Sequence, residues 1–241
     1  MMTTAVEPTE DIAALPAAVR WRRALAALSR ILAHPEETER VLEFTTYANA
    51  GGGQQRMAFF YGDPRSRRLY DEHRALDSHT IDLDELVKLP ADTLGHAYAS
   101  FMKQNGLTPD VFDGTPKHFH EPRAAYLVQR VRQSHDLWHV VTNAKTDPAG
   151  EIALQAFTFA QLRAPSAGIL AALGTLRTIR YSRQILRDVR ELYRLGLAAD
   201  NLAVFPWEDH WATPLAEVRR LLGIPAQPRA IGGYTADLLA A

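Results

Sequence analysis

The chain has 241 residues, 46% of them apolar, which is enough for a sizeable core in one large domain or two small ones. Its formal net charge of -1 gives no electrostatic reason to expect nucleic acid as a partner. With no cysteine, disulfides and thiolate metal sites are excluded, so any bound metal must take nitrogen and oxygen donors.

Residues 1–15 read as a short flexible tail. They carry Glu7, Glu10 and Asp11, no arginine and no signal-type apolar stretch, so a cytoplasmic protein is expected. No apolar run reaches the ~20 residues of a membrane-spanning helix. From Ala17 to Ala33, Val19, Leu25, Leu28, Ile31 and Leu32 recur as an apolar helical stripe, with Arg20, Arg22, Arg23 and Arg30 on a solvated face. A second helix should open at Pro35 and run to about Ala48, stopped by Gly51-Gly52-Gly53. That triplet lacks a preceding strand and a following Lys-Ser/Thr, so it reads as a turn and not as a phosphate loop.

Short helices follow at Gln54–Tyr61, at Asp63–Leu76 with Asp63 as cap and Pro64 next, and at Asp82–Leu89. His73 and His79 lack partners at ligand spacing and are expected at the surface. Leu94, Ala97, Tyr98, Phe101 and Met102 mark a well-packed helix closed by Gly106, with His96 and Tyr98 expected in helix contacts. Asp110 to Pro122, with two prolines and a glycine, reads as a loop over a site. Its His118 and His120 are expected at the surface first, and as an added ligand or proton donor second.

A central helix spans about Arg123 to Asn143 and contains Arg132-Gln-Ser-His135-Asp136-Leu-Trp-His139. On a helix His135 and His139 lie one turn apart, with Asp136 about 100° round from His135, so all three aim into one sector. Val128, Arg132 and Thr142 share that sector. After a restart signal at Thr146-Asp147-Pro148, Glu151 falls in the first turn of the next helix, Pro148 to Arg163. Two imidazoles and two carboxylates suit a divalent cation, zinc first, with iron, manganese or cobalt as alternatives. The bland alternative is a pair of core histidines, but four ligand-type residues on adjacent helices would then bury charge without partners. The zincin pattern HExxH fails because Asp136 stands where its glutamate belongs. Phosphohydrolases of the HD type need an upstream histidine, which His118 or His120 could supply, and a distant aspartate, for which nothing obvious stands.

Arg132, one turn before His135, either binds an anionic substrate group or bonds Asp136 or Glu151. Gln155 and Phe159, one and two turns beyond Glu151, are candidate substrate contacts. Ser166 to Leu176 is small and apolar, suited to close helix packing or to a hydrocarbon wall. Arg177, Arg180, Arg183, Arg187, Arg190 and Arg194 make a basic stripe expected on one helix. It would either pair with Asp188, Glu191 and other acidic residues or face an anionic membrane surface. Trp207 to Leu222 reads as an amphipathic helix, and beyond Pro225 the chain is expected to fray. With no strand series, the expectation is an all-α, single-domain, multi-helix bundle over residues 16–225, with a metal site between two adjacent helices and a tail at 226–241.

His135-Asp136-x-x-His139, then eleven residues and Glu151, resembles the signature of the coenzyme Q biosynthesis protein four (Coq-four) family. The similarity extends through Tyr126-Leu-Val-Gln-Arg130-Val-Arg132, Gly150-Glu-Ile-Ala-Leu-Gln-Ala-Phe157 and Leu89-Pro-Ala-Asp-Thr-Leu-Gly95-His-Ala-Tyr98. It includes Trp207-Glu208-x-x-Trp211-x-x-Pro214-Leu215-x-x-Val218-Arg219, and so covers about Ala17 to Ile224. The resemblance implies an all-α protein, often a homodimer, that removes the ring carboxylate of a polyprenylated hydroxybenzoate in ubiquinone assembly, with or without hydroxylation at the same carbon. It also implies that His135, Asp136, His139 and Glu151 are the ligand positions, and that other ubiquinone biosynthesis proteins are partners. The competing expectation is a lipid-binding scaffold for those proteins, peripheral on the inner face of the membrane, with a structural metal.

Overall fold

The structure, a computed structural model, describes residues 12–33, 38–112 and 121–235. Among these it is built from helices, with strand-like pairing confined to two isolated bridges, Thr93 with Pro214 and Ala144 with Ile231. The α-helices are α1 (Ala17–Ala33), α2 (Thr38–Asn49), α3 (Gly53–Gly62), α4 (Pro64–Asp71), α5 (Leu83–Leu86) and α6 (Leu94–Asn105). They continue as α7 (Pro122–Thr142), α8 (Pro148–Leu162), α9 (Pro165–Thr178), α10 (Gln184–Ala198) and α11 (Leu215–Leu221). The all-α expectation holds, and the paired prolines and caps explain why the boundaries fall where they do. Asp63, Asp82, Thr93, Glu121 and Asp147 each accept backbone N–H groups of the helix they precede, and Pro64, Pro122 and Pro148 follow three of them.

The main core surrounds α7, whose Leu137, Trp138 and Val141 meet Leu94, Tyr98 and Met102 of α6, Leu154 and Phe157 of α8, and Trp207. Each large side chain removed from water there contributes about 1.5–3 kcal/mol before entropy is counted. Arg130 of α7 is buried with its charge matched: it donates to Glu208 at 2.9 Å and to the Phe205 carbonyl at 2.9 Å. A second layer is formed by the α1–α2 pair, with Ala24, Ala27, Leu28, Phe44 and Ala48 packed toward Ile169, Leu170 and Leu173 of α9. Asn49 locks this layer to α9 by donating to the Ser166 hydroxyl and accepting from its N–H.

Several expectations are corrected. Leu25 points outward, because the buried stripe of α1 is the smaller set Ala24, Ala27 and Leu28, which lets α2 approach closely. The helix after Asp63 ends at Asp71 and not at Leu76, since His73 takes a left-handed backbone at φ 52° that turns the chain. The basic residues do not share one helix. α9 stops at Thr178, whose carbonyl accepts from Tyr181 and Ser182, and α10 restarts after Arg183. Trp207 to Leu222 is a 3-10 turn followed by α11, because the Trp211 and Thr213 carbonyls accept from Gly95 and Leu94 and Pro214 has no N–H to continue a helix. The chain does not fray at Pro225: residues 226–235 run back over the α7–α8 turn through a series of hydrogen bonds. His118 and His120 lie outside the described residues.

Candidate metal centre

The site forms where the second half of α7 faces the first turn of α8. His135, Asp136 and His139 each offer one ligand atom, and these atoms lie within 4.8 Å of one another. The one-turn spacing puts the two imidazoles edge to face, with ring centroids 4.9 Å apart. His135 Nδ1 lies 3.6 Å from Asp136 Oδ1, and His139 Nε2 lies 3.2 Å from Glu151 Oε1. Glu151 therefore joins the group through His139, as the most exposed of the four at 40%, while His139 is buried at 1%.

The His139 ring is held on two sides. Its plane stacks on Phe101 of α6 at 5.5 Å, and its Nδ1 lies 3.1 Å from the Ala144 carbonyl oxygen. A carbonyl can only accept, so Nδ1 carries the proton and Nε2 is left facing the Glu151 carboxylate. Two acceptors at that distance need either a second ring proton or a cation between them. That requirement, with a donor set of two nitrogens and two carboxylates, fits a divalent ion. The Ala144 contact is the usual hydrogen bond that orients a metal-binding imidazole.

Burial works to lower the His135 pKa, but the neighbouring Asp136 carboxylate and the Glu151 charge outweigh it and raise the value. Burial works to raise Glu151, and the adjacent His139 imidazole together with His135 brings it below its ordinary value. Tyr98 of α6, stacked on Trp211, has its phenol pushed up by burial and by the Asp136 charge.

Arg132 is half-buried beside this group. Burial lowers its pKa, and among the described residues it makes no ion pair, with Asp136 and Glu151 included. The bond to Asp136 or Glu151 allowed by the sequence is therefore not formed. Gln155 follows Glu151 on α8, half-buried. Phe159 sits at the far end of α8, where its ring stacks on Tyr193 of α10 at 6.3 Å. Sequence reading placed Phe101 only in a packing stripe and Ala144 nowhere; neither a phenylalanine at packing spacing nor a backbone carbonyl signals contact with a ligand histidine.

The expected pairing of the basic residues with Asp188 and Glu191 forms only in part, through Arg187 and Glu191. Arg229 takes Asp188 at 2.7 Å and Glu191 at 2.8 Å, leaving Arg187 at 3.9 Å from Glu191. On α10 the exposed residues Leu186, Arg190, Tyr193 and Leu197 recur at four, three and four positions and form one row, with Arg183, Arg187 and Arg194 along its side.

Comparison with known proteins finds relatives of this chain. The sequence model of the family described as "Coenzyme Q (ubiquinone) biosynthesis protein Coq4" matches residues 15–228. The mitochondrial ubiquinone biosynthesis protein COQ4 of Coprinopsis cinerea is 32% identical over 170 residues, which span 69% of this chain and 58% of that protein. The Lachancea thermotolerans protein of the same name is 30% identical over 198 residues, 81% of this chain and 60% of that one. The chain thus spans about three fifths of the length of the curated relatives it matches. A crystal structure of a candidate ubiquinone biosynthesis protein from Nostoc punctiforme superimposes with a TM-score of 0.69 at 28% identity, covering 84% of this chain and 97% of that one.

Proposed function

The chain belongs to the coenzyme Q (ubiquinone) biosynthesis protein Coq4 family, and from that premise we propose that it acts in ubiquinone biosynthesis as a metal-dependent decarboxylase of a polyprenylated hydroxybenzoate head group. The observation that carries the reading is the convergence of His135, Asp136 and His139, with the Glu151 carboxylate against His139 and Arg132, which has no carboxylate partner among the described residues, one turn before His135.

His135, Asp136, His139 and Glu151 are the residues that would hold the ion, with zinc the best fit to two imidazoles and two carboxylates. When bound, the ion supplies a Lewis acid for a phenolate or carboxylate oxygen of the head group. Arg132 binds the anionic group through paired guanidinium hydrogen bonds, strengthened by its partial burial. Gln155 contacts the polar edge of the ring. Glu151, the most exposed of the four, would serve as proton donor to the ring carbon only after it has let go of the ion and taken up a proton from solvent. As that carbon takes the proton, the bond to the carboxylate breaks, its electrons return to the ring and carbon dioxide leaves. The prenyl tail would lie against Phe159, exposed at the far end of α8.

The same reading includes one domain beginning near residue 16, a homodimer, contact with other ubiquinone biosynthesis proteins, and a cytoplasmic protein held peripherally on the inner face of the membrane. No helix among the described residues is long and apolar enough to cross a membrane. The α10 row of Leu186, Arg190, Tyr193 and Leu197 supports a peripheral contact, since arginines interleaved with exposed apolar side chains suit an anionic lipid surface. The same row supports the second reading, a lipid-holding scaffold with a structural ion.

Purified protein loaded with zinc and given a short-chain prenylated hydroxybenzoate separates the two. Release of carbon dioxide that is lost in Arg132→Met, with zinc content intact, is the expected result. Tight binding of the compound without any release would overturn the enzyme in favour of the scaffold.

A further inference from the structure

The turn between the two ligand-bearing helices is covered along its length by residues 226–235. Arg219 of α11 donates to the Val140 and Val141 carbonyls at the end of α7 and to the Ala226 carbonyl, at 2.9–3.0 Å. Asn143, in a left-handed conformation that closes α7, donates to the Pro228 carbonyl at 3.0 Å and accepts from the Ile231 N–H at 3.0 Å. Lys145 N–H donates to the Ile231 carbonyl at 2.9 Å, so Ala144 and Ile231 pair as in a short parallel bridge.

The same segment then clamps the start of α8. The Asp147 carboxylate accepts from the Gly150 N–H at 3.2 Å, the Gly233 N–H at 2.8 Å, the Thr235 N–H at 3.1 Å and the Thr235 hydroxyl. The Thr235 oxygen in turn accepts from the Ala149 N–H at 3.0 Å. Contact at this point is close enough to dictate residue type. A Cβ on Gly232 would lie 2.3 Å from Asp147 Oδ1 and 2.6 Å from the Gly150 nitrogen, at a φ of 81° that already favours glycine. From behind, buried Asp188 of α10 holds the segment by accepting from Arg229 at 2.7 Å and from the Gly232 N–H at 3.3 Å.

Both sides of the candidate metal centre pass through this clamp. Ala144, paired with Ile231, is the residue whose carbonyl fixes His139 Nδ1, and Asp147, bound to Thr235 and Gly233, is one turn before Glu151. We infer that residues 226–235 are a positioning element of the metal centre, setting the separation between His139 on α7 and Glu151 on α8. The clamp touches no ligand atom and acts only through Ala144 and the first turn of α8. The inference rests on the metal-site reading above and deepens it.

The test uses Co2+ as the probe, added to the full chain, with affinity from titration and coordination geometry from its visible spectrum. Thr235→Val removes the hydroxyl at constant shape, Gly232→Ala forces the segment away, and Thr235→Ser keeps the hydroxyl. The exposed Arg220→Ala, outside the segment, serves as control. Displacing residues that orient ligands costs about 10–100-fold in metal affinity. The expected result is a loss of that size with an altered spectrum in Thr235→Val and Gly232→Ala, at unchanged helicity, with wild-type behaviour in Thr235→Ser and Arg220→Ala. Wild-type affinity and spectrum in both Thr235→Val and Gly232→Ala, while amide exchange shows residues 143–150 loosened, would overturn the inference and leave the metal site standing. Failure of the wild-type chain to bind Co2+ would overturn the site itself.

Discussion

The two ends of α8 solve different problems. At its N-terminal end a carboxylate ligand must be held against a buried histidine, and the backbone there is cross-linked by Asp147, Thr235, Gly233 and Ile231. At its C-terminal end α8 relies mainly on packing: Gly196 of α10 lies against the Phe157 backbone and Phe159 stacks on Tyr193 beside a row of exposed arginines, with buried Gln161 alone donating to the Gly196 carbonyl at 2.8 Å and accepting from the Leu202 N–H at 2.9 Å among the described residues. Directional hydrogen bonds fix a position to fractions of an ångström, whereas apolar contact fixes only proximity. The polar end is therefore where geometry matters to chemistry, and the apolar end is where surface is available.

Changes at the two ends should separate cleanly. The largest effect is expected for His139→Ala, which removes the buried donor: elemental analysis should find the bound ion gone, and the unpaired Ala144 carbonyl should cost about 1–3 kcal/mol in denaturant unfolding. Gly196→Ala strikes the other end. Its Cβ would stand 2.8 Å from the Phe157 carbonyl oxygen, so a loss of about 1–3 kcal/mol is expected with metal affinity unchanged. A fall in metal affinity equal to that of His139→Ala would break the distinction between the ends.

Asp147→Ala should cost about 0.5–2 kcal/mol as a lost helix cap. Its pH dependence sharpens the comparison. Burial would raise the Asp147 pKa, but the Thr235 hydroxyl and the Gly233, Thr235 and Gly150 N–H groups hold it below the ordinary carboxylate value. A folded-state pKa below the unfolded one adds stability that is complete above about pH 4 and is lost as pH falls through the folded pKa. Wild type should thus lose stability over Asp147→Ala only below about pH 4, seen as converging unfolding midpoints in acid. The smallest effect on stability is expected for Tyr193→Ser, within about 0.5 kcal/mol, while sedimentation with anionic phospholipid vesicles weakens and that with zwitterionic vesicles stays negligible.

Much of this was legible in the sequence because it is local. Helix starts at Pro64, Pro122 and Pro148 follow from short-range caps, and His135, Asp136 and His139 converge because a helix repeats every 3.6 residues. The misreadings share a cause as well. Leu25 is apolar but exposed, and the basic row spans two helices, because burial and helix breaks were settled by what packed alongside.

By itself the sequence determined an all-helical chain, the caps that phase its helices and three ligand-type side chains on one face of α7. Only the tertiary structure decided that Glu151 meets His139, that Arg132 is left without a carboxylate among the described residues, and that residues 226–235 return to clamp the α7–α8 turn. The physical reason is reach. Periodicity and capping act over about four residues, whereas Thr235 and Asp147 stand 88 positions apart and are joined only once α10 and α11 have brought the end of the chain back.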